Sequence, residues 1–211
     1  MTRFSARPIV ALIPMLTLSG AALATDAALY EAPAPADAVF VRLLAEYDGP
    51  ADRAPVGGAQ MDLADMPHDT YLAISAADLP EPHNDIEAGR YYSLTSSPSA
   101  PRLIREPARE TAAKVHLILL NTGPAPVRLI LPGAGTEVIA PLPAGSAASR
   151  AVNPVRATVA VERVSDGQIL GRFDLTLTRG QNLTFVVEDD SARLLENRFG
   201  PVVRDVAKRL K

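Results

Sequence analysis

The sequence predicts an all-β fold: two tandem antiparallel β-sandwich domains behind a cleaved signal peptide. Three observations carry this. Short apolar runs alternate with period two and are separated by turn chemistry. Nineteen prolines, mostly between those runs, leave little room for long helices. And one stretch returns: AGRYYSLTSSPSAPRLIREP (88–107) lies without a gap over RGQNLTFVVEDDSARLLENR (179–198).

The elements follow in chain order. MTRFSARP carries Arg3 and Arg7, IVALIPMLTLSG (9–20) is apolar, and Ala22-Leu23-Ala24 supplies small residues. That order of basic, apolar and small residues is a secretory signal over 1–24, with cleavage after Ala24. The apolar run falls short of the roughly 20 residues a spanning helix needs, and Pro14 interrupts it. Residues 25–37 form a Pro/Ala leader, with EAPAPADA extended before the first strand. In the first half Val39, Val41 and Leu43 alternate with Phe40, Arg42 and Leu44; TYLAIS (70–75), YYSLT (91–95) and PRLIR (101–105) follow. In the second half alternation runs through KVHLILL, VRLIL, ATVAVE, the segment around Phe173, Leu175 and Leu177, and that around Leu183, Phe185 and Val187. SDGQ (165–168) reads as a tight hairpin turn, because Asp-Gly tolerates positive φ.

The echo places Gly89 on Gly180, Leu94 on Phe185, and Arg102-Leu103-Ile104 on Arg193-Leu194-Leu195. VRLLAEYDGPA (41–51) likewise lies over VHLILLNTGPA (115–125). Few positions are identical; the pattern is kept, with Tyr92, Leu94 and Leu103 matching Leu183, Phe185 and Leu194 as inward-facing residues. The reading is a duplicated unit, with domains over 38–110 and 111–199 and the charged REPARETAAK (105–114) as hinge. A single larger sandwich is the alternative. Beyond it, Pro201 ends the last strand, and Val202, Val206 and Leu210 recur every four residues beside Lys208, Arg209 and Lys211. That spacing predicts a basic amphipathic tail over 200–211, a segment that could dock on a partner.

Removing the signal takes Arg3 and Arg7 from 21 basic residues and leaves 19 against 24 acidic, net −5. An acidic chain gives no long-range pull on nucleic acid or an anionic membrane. There is no cysteine, so an exported fold must be held by its core alone. No further apolar run is long enough to cross a bilayer as a helix, so the mature chain is expected not to span the membrane.

No catalytic residue is assigned. There is no Gly-x-Ser-x-Gly elbow and no Gly-Asp-Ser block. Asp65 and His68 have the Asp-x-x-His spacing of SGNH esterases but lack the serine block upstream of them. Asp62, Asp65, His68 and Asp69 lack the glycine and spacing of a calcium loop and read as a solvated acidic loop, so no metal or other cofactor is expected. His116 lies in an alternating strand and reads as a surface or hydrogen-bonded residue; the sequon Asn182-Leu183-Thr184 lies inside a strand. For an anionic polysaccharide the useful groups would be arginines, whose fork matches carboxylates. Arg102, Arg105 and Arg193, with an outward Tyr91, are the candidate contacts with polymer or partner; Arg109, Arg150 and Arg156 lie nearby in sequence or on the second half's loop. Glu106, Glu110 and Glu196 could balance them as ordinary solvated charges.

Several blocks, taken together and in order, resemble the periplasmic alginate O-acetylation protein AlgF family: ALYEAPAPADAVFVRL (28–43), YYSL before PRLIREP (101–107), and SRAVNPVRATVAV (149–161). The likeness spans nearly all of the mature chain and is weakest over 48–90, where the 76–88 loop diverges. It implies an exported, periplasmic protein of tandem β-sandwiches required for acetylation of alginate and not itself the acetyltransferase. It implies as partners the SGNH-type, membrane-associated acetyltransferase proteins, with the polymer as a further possible ligand, and it brings no catalytic residues to carry over. A stand-alone anionic-polysaccharide-binding module is the alternative, and an esterase using Asp65 and His68 the third reading.

Overall fold

The computed structural model describes residues 33–45, 52–79, 86–95, 101–109 and 111–203. The expected signal peptide, most of the leader, and Val206 and Leu210 lie outside them. Among the described residues there are fifteen strands, two 3-10 turns and no α-helix. The all-β expectation holds, and the sheets stack as sandwich-like layers.

In the first half, β1 (Ala38–Leu43), β4 (Thr70–Ser75), β5 (Tyr91–Thr95) and β6 (Arg102–Arg105) lie in one sheet. The small hairpin of β2 (Arg53–Val56) and β3 (Ala59–Asp62) packs over it, turning through Gly57-Gly58, both at positive φ. A 3-10 turn over Leu63–Asp65 follows, capped by the Asp62 carboxylate, which accepts from the Ala64 N–H at 3.0 Å. Val39, Val41 and Leu43 from β1, Leu72 and Ile74 from β4, and Tyr92 and Leu94 from β5 meet Ala54, Val56 and Met61 in one core.

The second half is a fuller sandwich. One sheet holds β7 (Val115–Asn121), β10 (Ser146–Val152), β13 (Asn182–Glu188) and β14 (Ser191–Glu196). The other holds β8 (Val127–Leu131), β9 (Thr136–Leu142), β11 (Arg156–Arg163) and β12 (Ile169–Thr176). The predicted hairpin at SDGQ joins β11 to β12, with the Arg163 N–H bonded to the Gln168 carbonyl at 2.8 Å. The inward residues foreseen in the echo are inward: Leu183 and Phe185 are buried in this core, with Leu194 packed against it.

Three features depart from expectation. Pairing is antiparallel for the most part, but β1–β5, β7–β13 and β4 with β15 (Arg198–Val203) are parallel. Parallel neighbours need a crossover connection, and the chain provides one by running through intervening strands before it returns. The last strand does not stop at Pro201: Arg198–Val203 is β15, lying on the edge of the first half's sheet, in the order β15-β4-β1-β5-β6. Proline lacks a ladder donor, yet an edge strand tolerates it, and the register shifts between Phe199 and Val202 where Gly200-Pro201 sits. Val202 is therefore a strand residue opposite Ala73.

The third departure concerns which faces are buried. The run β1 and all of β7 are buried on both faces, because each sandwich turns the outer face of one sheet toward the other half. There Leu44 and Ile104 of the first half meet Leu120 and Val186 of the second, flanked by Ala147 and Leu195. Sheet-on-sheet contact of this kind removes apolar area from water and couples the halves. Leu120→Ala, at a fully buried site, is expected to cost about 2–5 kcal/mol in urea unfolding. Its far-UV circular dichroism should stay that of a folded all-β chain.

Candidate functional site

A buried polar cluster lies between the two halves, around Arg42. The side chain is wholly buried, and period two explains its direction: Val41 and Leu43 face the first core, so Arg42 faces the second half. A buried guanidinium must have its donors met. Nε donates to Ser93 Oγ at 2.8 Å, Nη1 to Asn197 Oδ1 at 3.0 Å, and Nη2 to Glu106 Oε1 at 3.0 Å and Thr184 Oγ1 at 3.2 Å. Glu106 is the buried counter-charge, and both members of the ion pair are fully enclosed. The two hydroxyls relay the interaction: Ser93 donates to Glu106 at 2.6 Å and Thr184 donates to Asn197 at 2.9 Å.

Tyr71 on β4 completes the carboxylate's shell, its O–H lying 2.8 and 2.7 Å from the two Glu106 oxygens. Burial, and then the negative charge of Glu106, push the Tyr71 hydroxyl well above the usual tyrosine range. Arg109 donates from Nη2 to the Tyr71 oxygen at 3.0 Å and lies 3.7 Å from Glu106. Its guanidinium stacks 3.4 Å from the Tyr91 ring centre, and Phe40 covers Tyr91 with ring centroids 4.7 Å apart. Phe199 of β15 closes the aromatic group edge-on to Phe40 and Tyr91 and remains about half exposed. Chemically, the cluster neutralises and orients charge; it presents no hydroxyl next to a free base.

Each residue singled out in the sequence has a definite place. Arg105 forks onto Glu87 at 2.8 and 2.7 Å. Arg193 bridges the halves to Asp69 at 2.8 and 3.0 Å and also bonds Glu188. Arg102 lies with its guanidinium directly over Gly145, where any Cβ would collide with it. Tyr91, read as pointing to solvent, is covered on both ring faces by Arg109 and Phe40. His116, read as a surface or satisfied residue, is buried with Nε2 unpartnered. His68 is exposed, Asp69 is held by Arg193, and Asp65 belongs to the 3-10 turn. Among the described residues no group of three His, Cys, Asp or Glu side chains could hold a metal ion.

Glu106 corrects the expectation of a solvated hinge over 105–114: it is buried, and its N–H is bonded to the Tyr91 carbonyl at 2.9 Å. The sequence reading missed Arg42, Ser93, Glu106, Thr184 and Asn197 as a group. A signal was present, because the overlay that puts Leu94 on Phe185 also puts Ser93 on Thr184 and Glu106 on Asn197, polar on polar on the opposite face.

The fold and this cluster define a class: an all-β chain of stacked sandwich layers with a buried, hydrogen-bonded ion pair between its halves. Within that class, the chain belongs to the family described as Alginate O-acetyl transferase AlgF, whose model matches residues 14–184. It is 30% identical over 197 residues to the alginate biosynthesis protein AlgF of Azotobacter vinelandii, covering 86% of this chain and 87% of that one. It is also 30% identical over 167 residues to the alginate biosynthesis protein AlgF of Pseudomonas putida, covering 74% and 75%. Among solved structures it is similar to the C-terminal domain of AlgF from P. aeruginosa, with 19% identity, a TM-score of 0.35, and coverage of 40% of this chain and 99% of that one.

The Tyr71 environment has a consequence in alkali. A folded-state value raised above the unfolded one means that the unfolded chain loses this proton first. Stability from the group is therefore intact below about pH 10, the ordinary tyrosine value, and lost as pH rises beyond it. In an ultraviolet titration of tyrosinate, one tyrosine of the native chain is expected to ionise only with unfolding. That late step should be missing in Tyr71→Phe.

Proposed function

We propose that this chain is a non-catalytic periplasmic scaffold for O-acetylation of alginate, supporting the acetyltransferase proteins that carry the chemistry. The family match over 14–184 is the observation that carries this reading. The state of the polar groups supports the non-catalytic part. Ser93, Thr184 and Tyr71, the hydroxyls beside the buried charges, are enclosed and committed to Arg42, Glu106 and Asn197. Export to the periplasm follows from the basic, apolar and small-residue order of the first 24 residues. Among the described residues no helix is long and apolar enough to cross a membrane.

Partners would meet the exposed edges and loops of the sandwiches, since strands with free N–H and C=O groups are natural docking surfaces. β15 is such an edge, with half-exposed Phe199 on it and the segment containing Val206 and Leu210 following. Binding of the polymer through Arg102, Arg105, Arg193 and Tyr91 is the weaker reading. Arg193 is held by Asp69 and Glu188, Arg105 lies in a half-exposed pair with Glu87, and a sugar could stack on Tyr91 only by displacing Phe40 or Arg109.

The test is the acetyl content of secreted alginate, by proton NMR, in a strain deleted for this chain and in the same strain complemented with it. Polymer should still be made, its acetyl signals should vanish, and complementation should restore them. Unchanged acetylation in the deletion strain would refute the proposal.

A further inference from the structure

We infer that the face each half turns toward the other is the same surface used twice, packed about a pseudo-two-fold axis through Arg42, and that it locks the chain into one rigid body. The strand order β4-β1-β5-β6 in the first half is repeated as β10-β7-β13-β14 in the second. The orientations repeat too: antiparallel, then parallel, then antiparallel. Register repeats residue for residue in the last pair, where Leu94 faces Leu103 and Phe185 faces Leu194. Both partners shift by the same interval, the one seen in the echo.

The contacts across the interface are reciprocal in the same way. Arg102 of β6 lies over Gly145, the residue before β10. Its repeat counterpart Arg193 on β14 grips Asp69, the residue before β4. Gly145 (φ 67) and Asp69 (φ 57) are both left-handed. Each donates its N–H at 2.7 Å to the carbonyl of the neighbouring strand, Gly145 to Asn121 and Asp69 to Leu43. Ile104 and Leu195, another equivalent pair, both line the shared core. Around Arg42, Ser93 with Glu106 on one side and Thr184 with Asn197 on the other are equivalent pairs, each hydroxyl accepting from the guanidinium and donating to the next residue. This is the pattern of an isologous dimer interface, in which one patch meets itself.

At the axis itself, Arg42 breaks the symmetry. It stands opposite Ser93 in register and Ile118 stands opposite Thr184, so its structural counterpart is Ile118, two residues beyond His116, where the overlay of 41–51 on 115–125 had placed it. An axis has room for one guanidinium, and a second buried cation there would repel the first. A chain that carries both copies can place an arginine in one and an isoleucine in the other, which two identical subunits could not do. β15 adds a covalent stitch, because the strand that leaves the second half joins the first half's sheet. All these strands lie in one compact unit. The scaffold reading enters only in what the rigidity is for: partners on the two halves would be held at a fixed separation rather than on a tether.

The inference is tested on the mature chain by itself, so its failure and that of the scaffold reading are distinguishable. Residual dipolar couplings from the two halves are expected to fit one alignment tensor, and urea unfolding followed by amide signals from each half should give coincident midpoints. Two tensors, or two separated midpoints, would overturn it. The axis is tested by exchange. Arg42→Ile and Ile118→Arg should each lower the midpoint, and the double exchange should lose less than the two single losses added together. A double exchange whose loss equals or exceeds that sum overturns the two-fold account, while the dipolar couplings of the unaltered chain test rigidity even if a variant does not fold.

Discussion

A guanidinium with no access to water cannot be left unpaired, and much of this structure can be understood as the answer to where Arg42 finds its partners. Its counter-charge comes from Glu106, just past β6; its hydrogen-bond acceptors come from β5, from β13 and from the residue between β14 and β15. Removing one member of a buried pair costs about 3–5 kcal/mol, chiefly because the other charge is stranded. The net stabilisation from such a pair is small, so what it contributes is specificity: only one juxtaposition of the two sheets brings Ser93, Glu106, Thr184 and Asn197 to one point. Apolar contact at Leu44, Ile104, Leu120 and Val186 supplies the attraction, and Arg42 selects the alignment.

Much of this was legible in the sequence, and the limits are physical. Alternation in KVHLILL and around Leu183 to Val187 correctly assigned one face of each strand to a core, because a half-buried strand has period two. Alternation does not say what covers the other face. In β1 the residues between Val39, Val41 and Leu43 are Phe40 and Arg42: Phe40 is partly covered by Tyr91 and Phe199 of its own sheet, whereas Arg42 is covered by the second half. Arginine and glutamate are exposed by default, so REPARETAAK read as a hinge although Glu106 is at the centre of the interface. Pro201 read as a terminator because a central strand excludes it, whereas β15 is an edge. The parallel pairs were invisible for another reason: pairing partners distant in sequence leave no local pattern.

The echo between 88–107 and 179–198 is the most informative signal. Its apolar matches identified the cores of both halves. Its polar matches, Ser93 with Thr184 and Glu106 with Asn197, marked the interface between them. A family that is described by an acetyltransferase name and a chain whose buried hydroxyls are tied up in architecture fit together if the chain lends surface to a reaction performed elsewhere.

That claim is most directly tested by removing the two histidines other than His116 while keeping the rest of the chain. Histidine is the side chain that most often serves as the base in acyl transfer, and this chain has three, of which His116 is buried on β7. The measurement is the acetyl content of alginate from a strain whose only copy of the chain carries His68→Ala and His83→Ala. Acetylation equal to that of the parent strain is the result this account requires. A polymer without acetyl groups, from cells in which the altered chain accumulates normally, would contradict it.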